Sequence, residues 1–266
     1  MPATPRKRIA ALLPRLLAAY GPQGWWPLRG RAGSPGFDEH GYHPGDYREP
    51  DTAAGRLEVM AGAILTQNTA WRNVESALDA LLGGRPLSLG AITGLSLDAL
   101  AGRIRSSGYF MQKARKLRAL AEFLAARDDE PPSREELLGI WGVGPETADS
   151  ILLYAYHRPH FVVDAYTRRL LSRMGVIRGG ESYDEIQQTC VAALPAEPEA
   201  YNELHALVVR HAKEHCRSVP RCAGCPLSRA GRTWRPHAAG ESADGQLPRQ
   251  ADSEAARNSH GGACHE

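Results

Sequence analysis

The sequence predicts an all-α fold, and three observations lead to that prediction. Apolar residues recur at the i, i+3, i+4, i+7 spacing of a buried helix face in several stretches, for example over 57–65. Capping boxes begin helices at Ser133 and Ser182, because each serine is followed three residues later by a glutamate. The β-leaning stretch at 161–163 is too short to build a sheet.

The N-terminal region combines a helix with a long irregular segment. Residues 5–20 are expected to form an amphipathic surface helix, and Pro14 and Arg15 interrupt its apolar run too early for a secretory signal peptide. Residues 25–51 are dense in Gly, Pro and charge, which predicts a long loop that is either functional or disordered. The sequence contains no run of eighteen apolar residues, which is the length that would predict a membrane span. We therefore expect a cytoplasmic, nucleoid-associated protein.

From Thr52 onward, helices are expected to alternate with short turns. The first of these helices ends in the polar turn 66–69, and Gly83 with Gly84 stops the second. The further helices expected are 97–104, 111–127, a short helix opened by Ser133, 145–156, one capped by Asp164 and running through Met174, 182–194, and one from about 199 to 215.

These elements divide the chain into four parts. Residues 1–52 hold the N-terminal helix and a loop with two tryptophans, and 53–163 form a six-helix-type lobe that includes a tight hairpin. Residues 164–228 form a second lobe together with the N-terminal helix, and this lobe ends in a cysteine cluster. Residues 229–266 lack apolar periodicity and are predicted to be disordered.

Basic residues are unevenly distributed along a chain whose net charge is only +2. Six of them lie between Gly102 and Arg118 with no acidic residue, and seven lie between Leu204 and Arg235 against one glutamate. Two such patches indicate an anionic partner on one face, while a pair of solvated helix faces is the alternative interpretation.

The most specific motif is Gly142-Val143-Gly144, which lies between two predicted helices. Glycines in a tight turn let backbone N–H groups approach a ligand closely, and the following helix adds the positive end of its dipole. A phosphate of a nucleic-acid backbone suits such a site. A bare Gly-x-Gly is also compatible with an ordinary αα-hairpin, but the longer pattern Leu-x-x-Ile-x-Gly-Val-Gly-x-x-Thr-Ala is much more specific.

Together with Ile-Leu-Thr-Gln-Asn-Thr at 64–69, Val163-Asp164 and the cysteine cluster, this hairpin resembles the helix-hairpin-helix DNA glycosylases of the endonuclease III superfamily. The resemblance covers about residues 53–226. It implies two helical lobes with a cleft between them, into which a damaged nucleotide is flipped out of the duplex.

Asp164 matches the catalytic aspartate of that family. Breaking an N-glycosidic bond builds positive charge on the sugar, which a carboxylate beside C1′ stabilises while it orients or activates a water. Asp164 could instead serve only as a helix cap. At Glu146 the bifunctional members resembling endonuclease III have a lysine that forms a Schiff base, which glutamate cannot do. We therefore expect a monofunctional enzyme without AP-lyase activity, and we assign Glu146 no catalytic role.

The resemblance also implies a set of DNA contacts. Gln67 would fill the gap left by the flipped base, and Tyr109 matches a second intercalating position, although a half-buried surface aromatic explains Tyr109 equally well. Arg103 and Arg115 would lie near the strand as phosphate contacts. The predicted DNA-binding residues are Gln67, Tyr109, Lys113, Gly142, Val143, Gly144 and Thr147.

Trp25 and Trp26 narrow the resemblance to the 3-methyladenine DNA glycosylase III branch. In that branch aromatic side chains stack an electron-poor, positively charged purine, which combines base stacking with cation–π attraction. The two tryptophans are therefore predicted to bind the substrate base. The alternative is that both are core anchors for the N-terminal helix.

Cys216, Cys222 and Cys225 have metal-ligand spacing, and they resemble the four-cysteine loop that binds a [4Fe-4S] cluster in this superfamily. The fourth cysteine is missing near Gly231, and only Cys264 could complete a four-thiolate set. Three possibilities remain open, with an incomplete or decayed site placed first, the cluster second and zinc third. The zinc site would be Cys3His, with His211, His215 or His237 as its histidine.

The function expected from these residues is that of a monofunctional DNA glycosylase in base-excision repair. It would bind double-stranded DNA as a monomer and hydrolyse the glycosidic bond of an alkylated purine such as 3-methyladenine. An endonuclease III-like enzyme for oxidised pyrimidines and a catalytically silent DNA-damage binding module are the two alternatives.

Overall fold

The computed structural model describes residues 4–127 and 130–228, and these residues form helices and loops without any strand, which confirms the all-α prediction. The α-helices are α1 (Pro5–Ala10), α2 (Leu12–Tyr20), α3 (Ala53–Leu65), α4 (Trp71–Leu82), α5 (Leu89–Thr93), α6 (Leu97–Arg103), α7 (Phe110–Ala125), α8 (Arg134–Leu138), α9 (Pro145–Ser150), α10 (Ala165–Arg173), α11 (Tyr183–Val191) and α12 (Pro198–Glu214).

Three local features differ from the sequence-based expectation. The N-terminal helix is divided at Ala11 into α1 and α2, and α5 was not predicted because its five residues supply one buried side chain, Ile92. The helix expected over 145–156 is α-helical only to Ser150, and Ile151–Ala155 is π-helical. The prediction of a disordered tail concerns residues 229–266, which lie outside the described residues.

Helix α3 is the central element of the first group of helices. Its residues from Leu57 to Leu65 are all buried, and it packs against α4, α7, α9 and the π-helical segment. Gly62 lies at one of its close contacts, because a Cβ at this position would meet the ring of Trp26 at 3.0 Å. Burial on all sides explains why α3 is apolar around most of its circumference.

Helix α12 is the corresponding element of the C-terminal group. It packs against α2 from the N-terminal region, against α10 and against the π-helical segment. Its N-terminal half is almost entirely buried, so it brings polar side chains of its own into the interior. This contact with the π-helical segment places α12 beside the residues that follow the hairpin.

The long segment between α2 and α3 is fastened at both ends by buried carboxylates. Glu58 of α3 accepts the backbone N–H of Gly30 (3.1 Å), and Glu203 of α12 accepts the backbone N–H of Gln23 (2.9 Å) and the hydroxyl of Tyr47 (2.7 Å). Burial raises the pKa of Glu58 to about 7. The loop predicted here is therefore a fixed part of the fold.

Among the described residues, we find no helix with both the length and the apolar character needed to cross a membrane.

Candidate active site

The hairpin lies between α8 and α9, as the sequence predicts. Gly142 has a φ of 84°, and a Cβ there would lie 2.6 Å from the Lys116 side chain, so this position requires glycine. Gly144 has an extended backbone, and a Cβ there would meet no atom within 4 Å. The side chain of Val143 is buried, whereas Trp141 is 56% exposed. The backbone at Gly144 is thus open to a ligand.

The side chain of Gln67 fixes the hairpin through a set of hydrogen bonds to Gly142, Thr147 and Lys116, which we call the brace. The Gln67 amide nitrogen donates to the Gly142 carbonyl (3.3 Å) and to Thr147 Oγ1 (2.9 Å), and its oxygen accepts from Lys116 Nζ (2.6 Å). The Gln67 side chain therefore contacts the protein in this structure, and its insertion into DNA stays a prediction. The side chain of Thr147 is buried and belongs to the brace, and the assignment of Thr147 as a DNA contact stays a prediction.

A buried ion pair fixes the two helices of the hairpin. Asp149 of α9 is fully buried and accepts two bonds from the Arg134 guanidinium of α8, at 2.8 and 3.2 Å. Gln187 and His160 also contact this carboxylate. Burial acts to raise the pKa of Asp149, but its bonds to His160, Arg134 and Tyr183 outweigh it and hold the pKa below its usual value.

Asp164 occupies the N-cap of α10, and its two oxygens have different partners. Oδ1 accepts the backbone N–H of Thr167 at 2.7 Å, and Oδ2 lies 3.6 Å from His205 Nε2 on α12. The side chain keeps 13% exposure. Burial alone would raise the pKa of Asp164, but the interaction with His205 and the bonds from Thr167 hold it below its ordinary value. Asp164 therefore caps α10 while its carboxylate stays ionised and accessible to solvent.

His205 and Tyr154 extend the contacts of Asp164 into the core. The Tyr154 hydroxyl lies 2.6 Å from His205 Nδ1, and both side chains are buried. Burial raises the pKa of Tyr154 well above its ordinary value, so the phenol keeps its proton. Sequence reasoning missed both residues, and no local motif marks them, because they lie on the π-helical segment and on α12.

Glu146 lies close enough to Asp164 for the two carboxyls to interact. Solvent reaches its side chain, yet the surrounding protein raises its pKa to about 7, with the Asp164 carboxylate as the second cause. The two carboxyls therefore interact, and their pKa values are moved in opposite directions.

Trp25 and Trp26 lie in an aromatic cluster with Trp71, and their peptide bond is cis. Trp26 is 4% exposed and packs against Tyr154 with ring centroids 5.3 Å apart. This corrects its assignment as a base-stacking residue, because its ring faces are occupied by the core. Trp25 is half-buried and stays the candidate for contact with a base.

The two DNA contacts predicted near the start of α7 differ in their exposure to solvent. Tyr109 is 74% exposed with a φ of 44°, which suits the predicted role without testing it. Lys113 is 2% exposed, and its amine donates to the carbonyls of Leu65 and Ser107, each at 2.7 Å. Burial lowers its pKa to about 8. The predicted phosphate contact is wrong for Lys113, which instead caps α3.

The cysteine loop packs against α10 and lines a cavity of about 220 Å³ that also contacts His211. Cys225 Sγ lies 3.7 Å from His211 Nε2, whereas Cys216 Sγ faces Arg173 at 3.3 Å. In the described ranges no three His, Cys, Asp or Glu side chains are placed to hold one metal ion, and Cys264 lies outside those ranges. The described residues therefore do not fit a four-thiolate cluster.

Comparison with known proteins places these features in a family. The family described as "HhH-GPD superfamily base excision DNA repair protein" matches residues 61–196. The chain is 41% identical over 223 residues to "Putative DNA repair glycosylase MJ1434" of Methanocaldococcus jannaschii, covering 80% of this chain and 90% of that protein. It is 30% identical over 134 residues to endonuclease III of Bacillus subtilis, covering 49% and 60% of the two chains.

Solved structures show the same fold. A non-covalent endonuclease III–DNA complex is similar with a TM-score of 0.60 and 26% identity, covering 67% of this chain and 83% of that one. The 3-methyladenine DNA glycosylase of H. pylori bound to 1,N6-ethenoadenine has a TM-score of 0.60 at 24% identity, covering 80% and 98%. At that identity the second likeness concerns the fold alone.

Proposed function

Because the chain belongs to the HhH-GPD superfamily of base excision DNA repair proteins, we propose that it is a monofunctional DNA glycosylase. In this proposal it hydrolyses the glycosidic bond of an alkylated purine such as 3-methyladenine in double-stranded DNA and leaves an abasic site. The observation that carries the proposal is Asp164, a reachable carboxylate whose pKa is lowered, next to a glutamate at the position of the Schiff-base lysine.

The chemistry follows from these two carboxyls. As the bond to the base breaks, positive charge develops on the sugar, and ionised Asp164 stabilises it while a water attacks C1′. The partners that the described structure gives Asp164 include the His205 imidazole, Thr167 and the Glu146 carboxyl. None of these three can form a Schiff base, which supports a reaction that stops at the abasic site.

The purine preference rests on the aromatic cluster. Trp25 is half-buried at its edge, and Trp26 connects the cluster through Tyr154 and His205 to Asp164. An aromatic surface near the carboxylate suits a flat, cationic base, which is already a good leaving group. The similarity to proteins named endonuclease III keeps oxidised pyrimidines as the second candidate substrate class.

A panel of duplexes tests the proposal. Each duplex carries one lesion, either 3-methyladenine, 1,N6-ethenoadenine, hypoxanthine or an oxidised pyrimidine, and released base is measured for wild type and Asp164→Asn. We expect wild type to release an alkylated purine, and Asp164→Asn to bind the same duplex without releasing base. If wild type binds damaged duplex without releasing any base, the protein is a binding module.

Borohydride trapping tests the absence of lyase activity separately. Wild type incubated with each duplex and borohydride should give no covalent protein–DNA adduct, because Glu146 offers no amine. An adduct on an oxidised-pyrimidine duplex would establish the endonuclease III-like alternative. Glu146→Lys serves as a positive control for the trapping conditions.

For the cysteine loop we propose a site other than a four-thiolate cluster. Cys225 and His211 already stand at a separation that two ligands of one tetrahedral zinc ion can have, since metal–ligand bonds of about 2.0 to 2.3 Å place ligands about 3.5 Å apart. Metal and acid-labile sulfide content of anaerobically purified protein distinguishes the cases. Zinc that is lost in Cys225→Ser supports this site, whereas four iron ions and sulfide would contradict it.

A further inference from the structure

Asp164 receives a second buried contact that helix capping does not explain. Its Oδ1 already caps α10, and Oδ2 faces His205 Nε2 at 3.6 Å. That His205 nitrogen is buried and has no hydrogen-bond partner within normal range. A buried N–H without an acceptor costs free energy, so a nearby carboxylate oxygen is its natural partner.

Donation by the Tyr154 hydroxyl to His205 Nδ1 would place the His205 proton on Nε2. Tyr154 is deeply buried and keeps its phenolic proton, and its recorded partner among the described residues is His205 Nδ1, at 2.6 Å. A hydroxyl that donates to Nδ1 requires this nitrogen to be unprotonated, so a neutral imidazole carries its proton on Nε2. That proton points towards Asp164.

We propose that Tyr154 and His205 are positioning residues that orient Asp164 and keep it ionised for the glycosylase reaction. The inference rests on the proposed function of Asp164. At 3.6 Å the contact between His205 and Asp164 is longer than a hydrogen bond in the free protein, and such contacts shorten when a substrate closes the site. Two donors on different oxygens, Thr167 N–H and His205 Nε2–H, then fix the carboxylate plane.

Other charged groups near Asp164 set the background for its titration. Glu146 from α9 disfavours its ionised form, whereas Arg169 on α10 favours it, and Tyr154 faces it from the π-helical segment. These residues are all retained in a His205 variant, in which Tyr154 loses its partner and the pKa of Glu146 loses the lowering effect of His205, so the Asp164 carboxyl is titrated directly. Removing His205 should raise the pKa of Asp164, because a donor to the charged form is lost.

The test compares His205→Phe and Tyr154→Phe with Tyr20→Phe. Tyr20 is a matched control because its hydroxyl bonds the Nδ1 of another buried histidine on α12, His211, at 3.0 Å. The Asp164 carboxyl is titrated by 13C NMR in each protein. Base release by each protein is then measured as a function of pH, on the lesion that wild type excises best.

We expect His205→Phe to raise the midpoint of the Asp164 titration, and the acidic limb of the kcat profile, by about one pH unit. Tyr154→Phe should shift both in the same direction by less, and Tyr20→Phe should shift neither. His205→Gln provides a second variant if His205→Phe fails to fold. Unchanged titration in both His205 variants would overturn the proposal, whereas failure of wild type to release base would overturn only the proposed function.

Discussion

The ion pair between Arg134 and Asp149 should contribute more to stability than any exposed ion pair of this protein. It joins α8 to α9, so it determines how the two helices of the hairpin are held. We expect Arg134→Met to lower the free energy of unfolding substantially, because the substitution leaves a fully buried carboxylate without its cationic partner.

The magnitude follows from the burial and the number of bonds. Asp149 has no exposed side-chain surface, and two charge-assisted bonds at 2.8 and 3.2 Å are lost. Breaking a buried pair by removing one partner costs about 3 to 5 kcal/mol. Gln187 and His160 still contact the carboxylate, so we expect the lower end, about 3 kcal/mol.

The effect should depend on pH in a defined direction. The pKa of Asp149 is lowered in the folded protein, so the stabilisation is present above the unfolded carboxyl pKa and is lost as pH falls through the folded pKa. Urea denaturation followed by far-UV circular dichroism, at neutral pH and in steps towards acid, measures the difference. The difference in the free energy of unfolding between wild type and Arg134→Met should become smaller at acidic pH.

Arg48→Met is the matched control, because Arg48 pairs with Asp46 at the surface with 88% of its side chain exposed. Exposed pairs contribute little, so this variant should unfold at the urea concentration of wild type. If Arg134→Met costs no more than Arg48→Met, the remaining partners of Asp149 suffice. The hairpin would then be held without the guanidinium.

Three further predictions concern the hairpin and its surroundings. Lys113→Met should destabilise the fold by about 2 kcal/mol, because the buried Leu65 carbonyl loses its bond from the amine. Arg115→Met should leave unfolding unchanged and weaken duplex binding most at low salt. Equal loss of DNA affinity at unchanged stability in both variants would return Lys113 to the DNA contacts. Gly142→Ala should lower the free energy of unfolding by about 1 to 3 kcal/mol, because φ is positive at this position. Gly144→Ala should unfold like wild type and bind duplex more weakly. Unchanged duplex binding by Gly144→Ala would place the DNA elsewhere. Wild type should release base faster above about pH 7, because ionised Glu146 adds negative charge near the cationic sugar. Glu146→Gln should still release base but lack this rise in rate. A similar rise in the variant would assign the effect to another group.

Local patterns predicted most of the fold and the main part of the site. Helix periodicity and serine caps identified the long helices, and Gly142 and Asp164 each have the backbone geometry that their residue types predicted. These features depend on residues close together in sequence. The five-residue helix α5 was missed because one buried Ile92 leaves no periodic pattern.

The missing parts of the site depend on contacts between distant residues. His205 lies 41 residues after Asp164, and Tyr154 reaches it from a different helix, so no spacing marks the set. The basic run around Lys113 predicted an exposed side chain, yet its amine is buried and donates to the carbonyl of Leu65 at the end of α3. Sequence patterns report the type of a residue, but tertiary packing decides whether its charge meets solvent.

The π-helical segment Ile151–Ala155 makes the geometry of a single turn a requirement of the site. A π turn contains about one residue more than an α turn, so the segment holds one residue more than α geometry would need for the same angle. If the turn relaxed to α geometry without losing a residue, the side chains at its end would rotate by up to about 100°, the step of one residue, away from α12. Deleting one residue removes the extra residue, so a single-codon deletion should keep the direction of the side chains that follow, whereas a single-codon insertion should rotate them away from α12.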